Sequence, residues 1–104
     1  MSRFMILFYD KDGASANFDR QSETDDFATW MGNINGITDR GAPFTLNAMI
    51  VNQDSVSEGV KTQDSPNGYC IIEAIDLGAA ADLVKHCPVI ANGGSLEVRE
   101  IFSV

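Results

Sequence analysis

The sequence is poor in the side chains that carry metal-dependent chemistry. It has one histidine and two cysteines in 104 residues, with no Cys-x-x-Cys motif. A zinc site needs several nitrogen or sulfur ligands at close spacing, so we expect no metal site and no cofactor. Basic residues are also scarce, with seven against fifteen acidic ones and a formal net charge of −8. Such a field repels phosphate groups, which argues against nucleic acid and anionic membranes as partners.

Long hydrophobic runs are missing as well. The apolar run near the N-terminus, residues 4–9, is followed by the charged segment 10–12. It is too short to form a signal-peptide core or to cross a bilayer. We therefore expect a cytoplasmic protein without a membrane partner. Cys70 and Cys87 lie in apolar patterns, and in a reducing compartment this predicts two buried free thiols instead of one disulfide.

What is present is typical of a folded domain. Hydrophobic residues make up 44% of the chain and charged residues 21%, close to the averages for globular proteins. A chain of this length forms one hydrophobic core. We therefore assign residues 1–104 to a single domain.

Hydrophobic periodicity and turn signals predict six elements in the order strand, helix, strand, strand, helix, strand. They are residues 4–9, a helix capped by Ser22 and ending near Gly36, 44–51, 69–75, a helix capped by Asp76 and ending before Pro88, and 96–104. The segment 52–67 is polar and is interpreted as a loop. The first helix carries an apolar stripe at spacings of three and four, formed by Phe27, Trp30, Met31, Ile34 and Ile37.

This order of elements predicts an α+β fold of the ferredoxin-like βαββαβ type. Right-handed crossovers then put the first and third strands in the middle of a four-stranded antiparallel sheet, with two helices on one face. Residues 4–9 and 69–75 are apolar at nearly every position. That pattern is typical of strands covered on both faces, as central strands are.

The other face of such a sheet would carry large apolar side chains. Depending on the orientation of the first strand, these are Phe4, Ile6 and Phe8, or Met5, Leu7 and Tyr9. An apolar patch of this size is uncommon on a monomer. We therefore predict a homodimer in which a second copy covers this face about a two-fold axis.

Four spaced segments in the C-terminal third resemble one family. They are Gly68-Tyr69-Cys70-Ile71-Ile72-Glu73-Ala74, Asp76-Leu77, Cys87-Pro88 and Gly93-Gly94-Ser95-Leu96-Glu97-Val98-Arg99-Glu100-Ile101. Together they resemble the end of a YCII-related domain of the DGPF type. The resemblance covers residues 68–101 and implies a ferredoxin-like subunit that forms a dimeric α+β barrel.

The chain departs from that family where its chemistry would lie. The Asp-Gly-Pro-Phe tetrapeptide is absent before Gly68, and residues 54–61 stand there with a different sequence. Some relatives use a histidine near the first helix, whereas the single histidine here is His86, near the end of the second predicted helix. The catalytic residues are therefore unknown. For His86 we favour a structural role as a cation at the helix end over acid–base catalysis.

Four residues are candidates for lining a ligand pocket between the sheet and the helices: Tyr9, Trp30, Tyr69 and Glu73. For the three aromatic residues, packing in the core is the alternative. Glu73 is an acid inside a central strand and needs a partner, a polar cavity or a position at a dimer edge, and Arg99 is the suggested partner. A second candidate group, Asp54, Glu58 and Lys61, lies in the predicted loop, with a solvated loop as the alternative.

We expect a small homodimeric barrel that binds a small organic molecule, and a lyase- or isomerase-type proton transfer is compatible with that fold. No catalytic pair in the sequence supports the enzymatic version. The alternative is a non-enzymatic interaction or regulatory module, with a barrel filled by side chains and with its helices or the divergent loop docked on another protein. An enclosed polar cavity distinguishes the first hypothesis from the second.

Overall fold

The computed structural model describes residues 1–11, 20–45, 47–59 and 65–103. Nine elements follow one another along these residues. They are β1 (Ser2–Tyr9), α1 (Arg20–Asn33), β2 (Ile37–Pro43), β3 (Met49–Val51), β4 (Val56–Glu58), β5 (Gly68–Ala74), α2 (Leu77–Val84), α3 (Pro88–Ala91) and β6 (Ser95–Glu100).

A four-stranded antiparallel sheet with the order β2-β5-β1-β6 forms the centre of the molecule. β1 and β5 occupy the two middle positions, in agreement with their apolar residues on both faces. The observed α+β architecture is compatible with a ferredoxin-like fold. β3 and β4 form a separate two-stranded sheet.

The hydrophobic core lies on one face of the four-stranded sheet. Alternate residues of β1 and β5 are buried there, including Phe4, Ile6 and Ile72. They pack with Met31 of α1 and Val84 of α2, so both of these helices cover the same face. This outcome decides between the two orientations left open for β1, because Met5, Leu7 and Tyr9 point to the other side.

The predicted strand at 44–51 is wrong in its position. The edge strand of the sheet is β2, which carries Thr38, Asp39 and Arg40 and is largely exposed. An edge strand with polar residues has a weak hydrophobic pattern, so it escapes detection by periodicity. The apolar run at 49–51 instead forms β3. It pairs with β4, which lies inside the segment 52–67 that was predicted to be a loop.

The two main helices are found near their predicted positions, with shifted ends. α1 begins at Arg20, two residues before the predicted cap Ser22, and ends at Asn33. Gly36 follows in a left-handed conformation (φ +85°), and its carbonyl accepts a hydrogen bond of 2.7 Å from the Glu73 amide. A glycine makes this turn because it adopts positive φ without strain.

The second helix is shorter than predicted. α2 ends at Val84, and Cys87 adopts an extended ψ of 137° before Pro88 opens the short helix α3. The residue before a proline avoids helical angles, whereas proline fits the first position of a helix. The proline therefore ends one helix early and begins another. At the C-terminal end, β6 stops at Glu100 and not at the predicted residue 104, which lies outside the described residues.

Candidate functional site

The candidate site is the face of the sheet opposite the helices, which we call the open face. Residues paired across neighbouring strands share a face, and successive residues of a strand alternate between faces. The registers of β1, β5 and β6 place nine charged, aromatic or large apolar side chains on this face: Arg3, Met5, Leu7, Tyr9, Tyr69, Ile71, Glu73, Glu97 and Arg99. The three aliphatic members form its half-buried centre.

A chain of three polar side chains crosses one part of the open face. The Tyr9 hydroxyl donates a hydrogen bond of 3.2 Å to Glu97 Oε1. The other carboxylate oxygen of Glu97 lies 3.2 Å from Arg99 Nη2. Glu97 therefore bridges a phenol and a guanidinium beside the aliphatic centre.

These two contacts shift the pKa values of Glu97 and Tyr9. The hydrogen bond from Arg99 lowers the pKa of Glu97, with a smaller contribution from Tyr9. Burial and the hydrogen bond to Glu97 raise the pKa of Tyr9. At neutral pH the carboxylate is therefore ionised and the phenol is protonated, so that the group combines an acceptor, a hydroxyl and a cation.

Tyr69 lies next to Leu7 on the neighbouring strand of the open face. Its ring stacks on that of Phe44, with centroids 5.9 Å apart and an interplanar angle of 24°. Phe44 directly follows β2, and its amide donates to the Asn67 carbonyl at 2.7 Å. The two rings extend the apolar surface toward the β2 edge of the sheet.

Glu73 is exposed on β5 and faces Arg3 in the register with β1. The suggested pairing of Glu73 with Arg99 is wrong, because the carboxylate beside the Arg99 guanidinium is that of Glu97. Exposure to water removes the desolvation cost that an acid in a central strand would otherwise incur. Glu73 thus shares the open face with Tyr9 and Tyr69 but lies near its other end.

Trp30 does not join these residues. It lies on α1 and packs edge-on against Phe8, with ring centroids 6.2 Å apart, and at an interplanar angle of 49° against Phe27, with centroids 5.5 Å apart. Phe8 points to the helix side of the sheet. A common lining of Trp30 with Tyr9 is therefore excluded, because the sheet separates them and core side chains occupy the layer between sheet and helices.

The second candidate group is not assembled either. Asp54 lies in the turn between β3 and β4, where its amide donates to Asn52 Oδ1 at 3.0 Å. Glu58 is at the far end of β4 and pairs with Met49, and Lys61 lies outside the described residues. The two acids are both exposed and sit at opposite ends of the hairpin, which corresponds to the solvated-loop alternative.

The remaining candidates are structural in their placement. His86 is exposed two residues beyond the end of α2. Cys70 and Cys87 are free and fully buried, which confirms the prediction of two buried thiols. Burial raises the pKa of Cys70 to about 12 and that of Cys87 to about 11, so both remain protonated and unreactive at neutral pH.

Glu97 is the site residue that the sequence analysis missed. Its signal was available, because Glu97 and Arg99 are charged residues two positions apart in a strand of alternating pattern. This spacing places both on one face. The pairing with Tyr9 depends on the register of β6 against β1, which local sequence does not encode.

Other site types receive no support from the described residues. An open groove of about 300 Å³ lies at the C-terminal end and is lined by Ser2, Glu100, Ile101, Phe102 and Ser103. Within the described ranges, three or more His, Cys, Asp or Glu side chains are nowhere grouped to bind a metal ion. None of the helices in those ranges has the length and apolarity needed to cross a membrane.

Comparisons with known proteins leave the open face as the main guide to function. No protein-family model matches the chain, and no curated protein matches it significantly.

Proposed function

We propose that this protein is a homodimeric α+β barrel of the ferredoxin-like type that binds a small organic molecule between the open faces of its two sheets. One observation carries the proposal: the Tyr9–Glu97–Arg99 chain lies beside an aliphatic centre on a sheet face opposite the helices. Apolar surface with a few convergent polar groups is typical of ligand sites.

The dimer is supported by the shape of the subunit. The chain measures 40 × 39 × 18 Å, and its smallest dimension suits one sheet and one layer of helices. Met5, Leu7 and Ile71 belong to the open face and are only half-buried in the single chain. A second copy related by a two-fold axis would cover them with an identical surface. The resemblance of residues 68–101 to YCII-related domains supports the same assembly.

The ligand follows from the chemistry of the lining. The aliphatic centre and the Tyr69 ring suit an apolar body, whereas the Tyr9 hydroxyl and the Glu97 carboxylate suit a hydrogen-bonding end. Arg99 adds a donor beside them. We therefore propose that the ligand is a small, uncharged or zwitterionic molecule that carries hydroxyl or amino groups. The buried free thiols fit a reducing compartment, so we propose that the protein acts in the cytoplasm.

Binding is better supported than catalysis. A general base is most effective when its pKa lies near the working pH, whereas the hydrogen bond from Arg99 lowers the pKa of Glu97. The neighbouring phenol has a raised pKa and remains protonated. A lyase- or isomerase-type proton transfer thus has less support than ligand binding, because neither group is set up to accept a proton at neutral pH.

Light scattering and a thermal-shift screen test the proposal. We expect the mass of a dimer at micromolar concentration, and a rise in melting temperature with at least one compound from a library of hydroxylated and amino-substituted metabolites. Tyr9→Phe and Glu97→Gln should abolish that rise. Asp82→Asn is the matched control, because it alters an exposed ion pair of 3.7 Å with Lys85 on α2. A monomeric mass, or hits that are equally strong in Tyr9→Phe, would contradict the proposal.

The exposed hairpin formed by β3 and β4 favours a second candidate function. Its apolar residues suit docking on another macromolecule, as in a non-enzymatic interaction or regulatory module. Ile50 and Val51 are both exposed there. The light-scattering measurement separates the two functions, because an interaction module needs no self-association.

A further inference from the structure

The hairpin formed by β3 and β4 has an exposed apolar surface that the proposed ligand site does not use. We call β3, β4 and the turn between them the hairpin arm, residues Met49–Glu58. Four of its side chains are large, apolar and more than half exposed: Met49 (60%), Ile50 (54%), Val51 (70%) and Val56 (63%). Strand alternation puts Met49, Val51 and Val56 together on one side, opposite Ile50.

The arm needs a partner surface to be stable. It contains three cross-strand pairs, and its turn is held by Asn52 Oδ1, which accepts from the Ser55 amide at 2.9 Å. A two-stranded hairpin is only marginally stable in water unless it packs against something else. Met49, Val51 and Val56, which share one side of the arm, present on the order of 300 Å² of apolar surface, which is within the range of the largest patch on many monomers.

An interface that includes the hairpin arm would be larger than one formed by the open face alone. Its aliphatic centre and its two tyrosines are already half-buried by their neighbours. A standard interface buries about 800 Å² on each partner. The arm would add its exposed apolar side chains to that area if it packed on the second copy. It leaves the sheet beside the open face, because Phe44, which stacks on Tyr69, begins the connection to β3.

Charge also favours a second copy of this chain as the occupant. The full sequence has a net charge of −8, so most of its surface repels another copy. On the open face, however, β1, β5 and β6 place two bases, Arg3 and Arg99, with two acids, Glu73 and Glu97, and β2 adds Asp39 beside Ile71. This face is therefore close to neutral, which lets two open faces approach, and its bases attract Glu58 on the arm.

We propose that, in the dimer, the hairpin arm of each copy packs over the open face of the other and closes its ligand site. This inference rests on the proposed dimer and adds that the site is incomplete without the partner's arm.

Sedimentation of three proteins tests the inference: the wild type, the double variant Val51→Asp/Val56→Asp, and Leu77→Asp. Leu77 is the matched control because it is 52% exposed but lies on α2, on the helix side of the sheet. We expect the arm variant to weaken dimerisation at least tenfold, whereas the control keeps the wild-type dissociation constant. A dimeric wild type with an unaffected arm variant overturns the role of the arm but leaves the dimer intact. A monomeric wild type overturns both proposals.

Amide hydrogen exchange on the wild type gives an independent measurement if the arm variant fails to fold. We expect the amides of β3 and β4 to be protected at concentrations where the dimer forms and to lose protection on dilution to the monomer. The amides of β1 and β5 serve as the internal control and should stay protected throughout. Arm amides that exchange equally fast at both concentrations would overturn the inference.

Discussion

The hydroxyl of Tyr9 on β1 donates a hydrogen bond of 3.2 Å to Glu97 Oε1 on β6, and the two residues are 88 positions apart in the chain. Arg99 lies 3.2 Å from the second oxygen of the same carboxylate. This arrangement joins an edge strand to a central strand on the open face. It also fixes the charge state of the site at neutral pH, with the ionised Glu97 carboxylate between a protonated phenol and a guanidinium cation.

Removal of either neighbour should change how Glu97 titrates. The hydrogen bond from Arg99 is the largest cause of the lowered pKa of Glu97, so Arg99→Gln should raise that pKa toward its ordinary value. Tyr9→Phe should raise it less. Carboxyl-detected NMR titration measures both shifts. Because the folded pKa is lowered, the stabilisation from Glu97 is present at neutral pH and is lost as the pH falls through the folded pKa. An identical Glu97 titration in Arg99→Gln would contradict the assigned cause.

The two buried thiols should make the protein less stable at alkaline pH. Burial raises the pKa of Cys70 from 9.0 to about 12 and that of Cys87 to about 11. Above pH 9 the unfolded thiols ionise while the folded ones keep their protons. The free energy of unfolding should therefore fall as the pH rises from 9 toward 11 and 12. Urea denaturation across this range measures the decline.

The double variant Cys70→Ala/Cys87→Ala is the control for this decline, because it should remove most of the slope while lowering stability at neutral pH. Tyr9, whose pKa is also raised, accounts for part of the remaining slope. A thiol reagent should leave both cysteines unmodified in the native protein at pH 8. Rapid native-state modification would show that the thiols are accessible.

Replacement of glycine by alanine should have opposite effects on stability at Gly41 and at Gly32. Gly41 has φ +64°, and a Cβ there would collide with the Tyr69 carbonyl oxygen. Gly41→Ala should therefore destabilise the protein by more than about 2 kcal/mol. Gly32 lies in α1 with nothing within 4 Å of an added Cβ, and Gly32→Ala should stabilise by about 0.4–1 kcal/mol. Chemical denaturation of both variants measures the difference, and equal effects would contradict the assigned conformation of Gly41.

The N-terminal cap of α2 should contribute measurably to stability, in contrast to a second acid on the same helix. Asp76 Oδ1 accepts a hydrogen bond of 2.8 Å from the Ala79 amide. Asp76→Ala should lower the free energy of unfolding by about 1 kcal/mol, as the loss of a capping side chain usually does. Asp82→Ala removes a carboxylate from the same helix that forms an exposed ion pair with Lys85. It should change stability by less than about 0.5 kcal/mol, so a comparable loss in both variants would argue against the cap.

Local patterns in the sequence were sufficient for the parts of this protein that depend on burial alone. The apolar residues of β1 and β5 predicted central strands, and Asp76 predicted the start of α2. Phe27, Trp30 and Met31 of the predicted stripe lie on the packed side of α1, whereas Ile34 and Ile37 lie beyond its end. Cys70 and Cys87 were correctly predicted to be buried thiols. These features can be read from the sequence because helices and strands place side chains inside or outside with a fixed period.

The tertiary structure decided which distant residues meet. It placed the polar strand β2 at the sheet edge and paired the apolar run at Met49 with β4 in a separate hairpin, because strand pairing depends on register and turn geometry as well as on hydropathy. The same packing put Trp30 and Tyr9 on opposite sides of the sheet and brought Glu97 to Tyr9. Tyr9, Tyr69 and Arg99 were singled out from the sequence and Glu97 was not, and the grouping of these residues required contacts between strands far apart in the chain.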